Sequence, residues 1–294
     1  MHHFQYLTPQ SVDEAISLWE SHRTSVRYIA GGTDIIVKIK EGKAAPDYLV
    51  SLKHIPELDR LMLDRETGEL HIGALVTHRA LETSDMIRRR YPIIYDAVSC
   101  IGSVQIRNVA TIGGNIVNAV PSADGTIPLI ALDAKIRITG PKGEREEELR
   151  HFFLGPGQNI LAEGEILTRF IVPPLLPHTG SAYIKLTRRE AMELPILGVG
   201  VLISLDDDLT TCTRARISLG VAAPTPIRAL SAERFLQGKT LDDTVLEEAG
   251  QIASEESRVR DSIRGVAWYR REMVRVLVKR MAKRCLDQIR TDQN

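Results

Sequence analysis

Two glycine-rich segments carry the clearest chemical signal in this chain: Ala30-Gly31-Gly32-Thr33-Asp34 and Thr111-Ile112-Gly113-Gly114-Asn115. Glycine permits positive φ and lets a ligand approach the main chain closely. Successive backbone N–H groups in such turns form concave anion sites. Two such turns in one domain point to a diphosphate held from two sides, which is what a dinucleotide cofactor offers. A single Gly-Gly pair is ordinarily a plain turn, but here both pairs are followed by a small polar residue. Neither segment is a G-x-G-x-x-G or a G-x-x-x-x-G-K-[ST], so the Rossmann and P-loop fingerprints are absent.

The elements that must position these turns follow from local patterning. Ser11 and Glu14 have capping-box spacing ahead of Ala15, Ile16, Leu18 and Trp19, which predicts a helix. Val26 to Ile29 reads as a strand running into the first glycine turn, Ile35 to Lys40 as a short helix, and Asp47 to Leu52 as a further strand. Residues 1–57 thus form a small α/β unit. A second unit spans 58–176, with a strand at Glu69 to Ala74 and a helix capped by Thr77. A helix follows from Tyr91 to Ser99, with Pro92 in its first turn. Ser122 to Gly125 opens a helix ending near Leu132, and Lys135 to Thr139 is a strand. The Pro173 to Pro177 segment ends the unit. The third unit, 177–294, has strands at Val199 to Leu205 and Arg214 to Val221 around an acidic turn, as in an antiparallel meander. From Ser262 to Ile289, Val266, Tyr269, Met273, Leu277, Met281 and Cys285 recur at helical spacing. The arginines and lysines between Arg270 and Arg284 are expected to form a solvated face.

Composition narrows the classes of partner. The 38 basic and 38 acidic residues give zero formal charge, which disfavours nucleic acid or a charged membrane surface. No run of 18 apolar residues predicts a transmembrane helix, and the start Met1 to Tyr6 has no signal-peptide pattern. His2 and His3 are not expected to bind metal. Cys100, Cys212 and Cys285 fit no C-x-x-C spacing. Three scattered cysteines do not supply an iron–sulfur cluster, and a reducing, cytoplasmic setting is expected.

The run Gln105 to Asn115, followed by Pro121-Ser122-Ala123-Asp124, resembles the FAD-binding subunit of molybdenum hydroxylases. Ala30 to Asp34 matches that family's first loop, and Gly220 to Arg228 resembles its C-terminal domain. The likeness spans essentially the whole chain and is nearest to the FAD subunit of bacterial xanthine dehydrogenases. It implies an α+β architecture with a vanillyl-alcohol-oxidase-type (PCMH-type) FAD-binding domain. That domain would have two α/β subdomains, followed by a C-terminal domain of antiparallel sheet and helices.

The resemblance also implies a site. Backbone amides of both loops would hold the pyrophosphate of non-covalent FAD. The first loop comprises Tyr28, Ile29, Ala30, Gly31, Gly32, Thr33, Asp34 and Ile35. The second comprises Thr111, Ile112, Gly113, Gly114 and Asn115. Asp124 falls where the family has a carboxylate on the cofactor, plausible for ribose hydroxyls; the alternative is a helix cap. Ile101 and Leu167 fall at apolar lining positions, or are ordinary core. Lys185 falls beside the flavin, or is a surface strand residue.

By the same resemblance, a molybdenum-binding large subunit and a small subunit with two [2Fe–2S] clusters are the partners, and NAD+ or another acceptor takes the electrons. Carbon monoxide, N-heterocycles and aromatic thioesters stand beside purines as substrates. A stand-alone flavin dehydrogenase and a scaffold subunit are the competing readings. No catalytic acid–base pair and no metal site is expected in this chain.

Overall fold

The computed structural model describes residues 3–23 and 25–291; Met1 and His2 lie outside them. The chain builds, in order, β1 (Gln5–Leu7), α1 (Val12–His22), β2 (Val26–Ile29), α2 (Ile35–Lys40) and β3 (Tyr48–Ser51). These form a three-stranded parallel sheet of order β1-β3-β2. Ser11 caps α1 by accepting from the Glu14 amide at 3.1 Å. The Glu14 carboxylate reaches back to the amide of Gln10 at 2.7 Å, one residue before the cap.

The second unit contains β4 (Leu61–Leu63), β5 (Leu70–Gly73), α3 (His78–Thr83), α4 (Asp85–Arg90), α5 (Pro92–Ser99), α6 (Val104–Arg107), α7 (Ile112–Val117) and α8 (Thr126–Ala131). It continues with β6 (Lys135–Gly140), β7 (Gly143–Glu148), β8 (Phe153–Gly155), β9 (Gln158–Asn159) and β10 (Ile166–Val172). An antiparallel sheet of order β4-β5-β10-β6-β7 packs against the helices. Its core gathers Leu70, Ile72, Ile94, Ile127, Ile136 and Phe170. The late strand β10 lies at the centre, between two strands it follows by 25 residues or more, a pairing no local pattern announces.

The C-terminal part has β11 (Thr179–Leu186), β12 (Leu197–Leu205), β13 (Cys212–Gly220), β14 (Ile227–Arg228), α9 (Leu230–Leu236), α10 (Asp243–Glu256) and α11 (Ala267–Thr291). The strands make an antiparallel sheet in chain order, with α11 lying on β11 and β12 and beside α10. Asp133 ties this part to the second unit. Its carboxylate accepts from Arg216 Nε at 2.8 Å and Arg228 Nη1 at 2.6 Å, and also meets Arg214. Those guanidinium groups hold it below the usual carboxylate range although burial opposes them.

Two expectations for the tail need correction. Helix α11 starts at Ala267, not Ser262, because Ser262 and Gly265 exchange backbone hydrogen bonds in a turn and Asp261 accepts from the Ala267 amide. Its basic residues do not form a simple solvated face. Lys279 pairs with Asp243 at 2.7 Å and Glu247 at 2.8 Å, while Lys283 and Arg275 meet the same acidic residues of α10. Arg270 is 1 % exposed and donates to the Ile196 carbonyl at 2.9 Å. The acidic face that receives these cations belongs to another helix, so the charge run alone could not reveal it. No helix of the described residues is long and apolar enough to cross a membrane.

Candidate cofactor site

The two glycine turns meet beside a cavity of about 610 Å³ that both of them line, in the usual range for ligand sites. The approach is set by missing side chains. A Cβ on Gly31 would stand 2.1 Å from the Val109 carbonyl oxygen, and one on Gly113 would stand 2.6 Å from the Ala74 oxygen. Both positions therefore require glycine on backbone packing alone. Gly32 requires it for another reason, a φ of +78°.

The turns differ in what they offer a ligand. Among the described residues, the amides of Gly31, Gly32, Thr33, Asp34 and Ile35 donate to no protein acceptor. The second turn spends its amides internally. Ile112 N donates to Val76 O, Gly113 N to Ala74 O, Asn115 N to Thr111 O and Gly114 N to Thr111 Oγ1. Thr111 is thus the cap of α7. The expectation that both loops present amides is narrowed: five consecutive free donors belong to the first turn, whereas in the second only the Thr111 amide has no protein acceptor among the described residues.

The cavity wall includes Tyr28, Ala30, Gly31, Gly32, Thr33, Asp34 and Ile35 from the first unit. Thr111, Gly113, Gly114, Asn115, Ile101, Asp124 and Leu167 border it from the second, and Lys185 from the third. Ile29 and Ile112 do not border it. Their side chains turn into the cores, Ile29 beside Ile39 and Leu49, and Ile112 with the main cluster. Ile101 is held by its carbonyl, which accepts from Arg107 Nη1 at 2.9 Å, while Arg107 grips Glu82 through two further bonds. Met192, Glu193 and Leu194 also reach the wall, where the Met192 amide donates to the Gly102 carbonyl.

Asp124 does not cap α8; Gly125 occupies that position without a side-chain bond. The carboxylate is buried, receives the Tyr183 hydroxyl at 2.6 Å, and pairs with Lys185 Nζ at 2.8 Å. Burial pushes its pKa up, and the Lys185 ammonium and Tyr183 hydroxyl oppose that rise. Lys185 is no surface lysine: its side chain is 8 % exposed and also donates to the Cys100 carbonyl. Both carboxylate oxygens of Asp124 are therefore engaged within the chain.

Several residues at or beside the cavity escaped the sequence reading, among them Tyr183, Lys38, Asn118 and His78. Tyr183 lies two residues before Lys185 on β11, and the period of two that puts both on one face was a usable signal. Lys38 lies one helical turn after Asp34 on α2, equally legible by spacing. Asn118, whose side chain bonds both, and His78 carried no local signal. His78 is fully buried with neither ring nitrogen partnered. Burial, and then the charge of Arg107, depress its pKa to about 4. The Oδ1 of Asn115 is likewise buried without a partner.

Two predictions follow from this geometry. Asp124→Ala leaves a buried ammonium uncompensated and is expected to cost about 3–5 kcal/mol. Adding Lys185→Met should recover much of the loss. Urea unfolding of the cofactor-free single and double variants checks this; an unchanged midpoint for Asp124→Ala contradicts it. His78 is neutral in the fold down to about pH 4, whereas the unfolded chain takes up the proton near 6.5. Its contribution is complete above pH 6.5 and is lost as pH falls toward 4, by roughly 2 kcal/mol between pH 7.5 and 5. His78→Gln should flatten that part of the stability profile.

Comparison with known proteins agrees with this geometry. Residues 2–175 match the family model described as the FAD binding domain in molybdopterin dehydrogenase. Residues 181–285 match the CO dehydrogenase flavoprotein C-terminal domain. The chain is 31 % identical to the nicotinate dehydrogenase FAD-subunit of Eubacterium barkeri, covering 98 % of both. It is 33 % identical to the xanthine dehydrogenase FAD-binding subunit of Escherichia coli O157:H7, covering 94 % of both. Among solved structures, a chain of carbon monoxide dehydrogenase from Hydrogenophaga pseudoflava superposes with a TM-score of 0.91 at 30 % identity, over 97 % of this chain and 98 % of that one. The fold is the two-domain α/β, PCMH-type FAD-binding architecture, and the chain belongs to the FAD-binding flavoprotein family of the molybdopterin and CO dehydrogenases.

Proposed function

We propose that this chain is the electron-transfer subunit of a molybdenum hydroxylase complex, taking electrons from [2Fe–2S] clusters onto FAD and passing them to an acceptor such as NAD+. The observation that carries this reading is the row of free amides from Gly31 to Ile35 opening on the cavity of an FAD-binding family member. The residues fit the cofactor. Gly31 and Gly32 let the first turn pack on Val109 and take a positive φ with its amides free, and the unpartnered Oδ1 of Asn115 belongs to a residue of the cavity wall. FAD, when bound, supplies the one- and two-electron chemistry.

The chain's own groups bind and orient. The first-turn amides hold the diphosphate, Ile101 and Leu167 present apolar surface, and the Asp124–Lys185 pair sets the polarity of one end. The ionic side chains at that end are already paired, which suits a cofactor carrier better than an enzyme moving protons on an organic substrate. A molybdenum-binding large subunit and a [2Fe–2S] small subunit are the partners in this reading, and a cytoplasmic location accompanies it. Relatives named for nicotinate, xanthine and carbon monoxide dehydrogenases lie at 30–33 % identity. Purine is therefore one substrate class among several, and the substrate pocket belongs to the large subunit.

Gly31→Ala should abolish FAD binding, because its methyl group would force the two turns apart at Val109. Absorbance of the purified variant at flavin wavelengths measures this; a full flavin complement overturns the diphosphate-cradle reading. Affinity purification from the native host should bring down molybdenum, iron and FAD together, with turnover on one member of a panel of xanthine, nicotinate and carbon monoxide. A chain that purifies alone, with flavin and its own turnover of an organic substrate, replaces this reading with a stand-alone dehydrogenase.

A further inference from the structure

A diphosphate brings negative charge into the cavity, and backbone amides offset it only through partial charges. A full positive charge beside it would strengthen the hold, and most charged groups bordering the cavity are already committed. Lys185 faces Asp124 at 2.8 Å. Glu165 pairs with Arg145 at 2.9 Å, and Glu193 with Arg188 at 3.1 Å. Lys38 is different. Among the described residues its Nζ has one partner, the neutral Oδ1 of Asn118 at 3.0 Å.

The position of Lys38 matches that role. It borders the same cavity as the glycine turn. It stands four residues after Asp34 on α2, on the helix face that continues from the turn. Asn118 Nδ2 in turn donates to Asp34 Oδ1 at 2.8 Å. Asn118 thus holds the lysine and the aspartate apart while touching both. Exchanging an amide oxygen for a phosphate oxygen gives the ammonium a charge-assisted bond in place of a neutral one.

We propose that Lys38 is the counter-cation of the cofactor's diphosphate, favouring the dinucleotide over flavins without phosphate. The inference rests on the FAD-binding assignment and not on the partner subunits. It adds a side-chain contact to a cradle otherwise made of backbone.

The test uses the full chain freed of flavin. FAD and riboflavin are titrated by fluorescence, and ADP by competition, at low and high salt. Lys38→Met should weaken FAD and ADP about tenfold, leave riboflavin unchanged, and reduce the salt dependence of FAD binding. Lys38→Arg should retain most of the affinity. Lys40→Met removes the same charge from the same helix at a position that does not border the cavity, and should change FAD affinity less than twofold. The proposal fails if Lys38→Met binds FAD within twofold of the native chain, if it loses FAD and riboflavin equally, or if Lys40→Met matches it. Failure of the FAD assignment itself would be seen separately, as a native chain that binds no flavin.

Discussion

The cavity depends on one close approach of two backbones. Gly31 lies against the Val109 carbonyl and Ala110 Cα at distances no side chain tolerates. This contact brings the end of the parallel sheet onto the loop before α7. Gly113, packed on Ala74, fixes the other side of that loop against the antiparallel sheet. The two subdomains are therefore joined where their turns meet, and the ligand space is what remains beside the junction. Packing of this kind is all-or-none, because interiors are as dense as organic crystals and cannot absorb a methyl group against backbone.

Fixing the two turns also divides their roles. The second turn is bonded to the segment that follows β5 and to its own helix cap, so the amides from Ile112 to Asn115 are spent. The first turn needs no such bonds, since it follows β2 directly and leads into α2. Its free donors belong to residues that border the cavity. The residues of this row are half-buried or exposed, so solvent can satisfy the amides until a ligand replaces it. The geometry of binding is in this sense stored as unfinished hydrogen bonding.

The C-terminal part closes the site through charge. Lys185 on β11 meets Asp124 at the start of α8, and Asp133 at the end of α8 meets three arginines of the C-terminal part. One short helix is thus clamped at both ends by ions from another domain. Its six residues are all buried, so the clamps also hold the floor of the main core. Such pairs are weak evidence of net stability but strongly resist loss of one partner. That asymmetry fixes the orientation of the C-terminal sheet over the cavity.

Local sequence was sufficient for the glycine turns, the Ser11 and Thr77 caps, the helices starting near Ile35 and Pro92, and the antiparallel strands of the third unit. Each rests on interactions within a few residues, where capping, turn chemistry and hydrophobic period act directly. The family likeness carried the site further, to Asp124, Leu167 and Lys185. Tertiary structure decided the rest. The central position of β10, the spent amides of the second turn, the inward side chains of Ile29 and Ile112, and the pairing of Asp124 with Lys185 all join distant segments. So does the ion-paired face of α11, which looked solvated because its acidic partners lie on α10. Hydrogen bonds and charges between segments leave no periodic trace in either one, and only the folded chain shows which donor meets which acceptor.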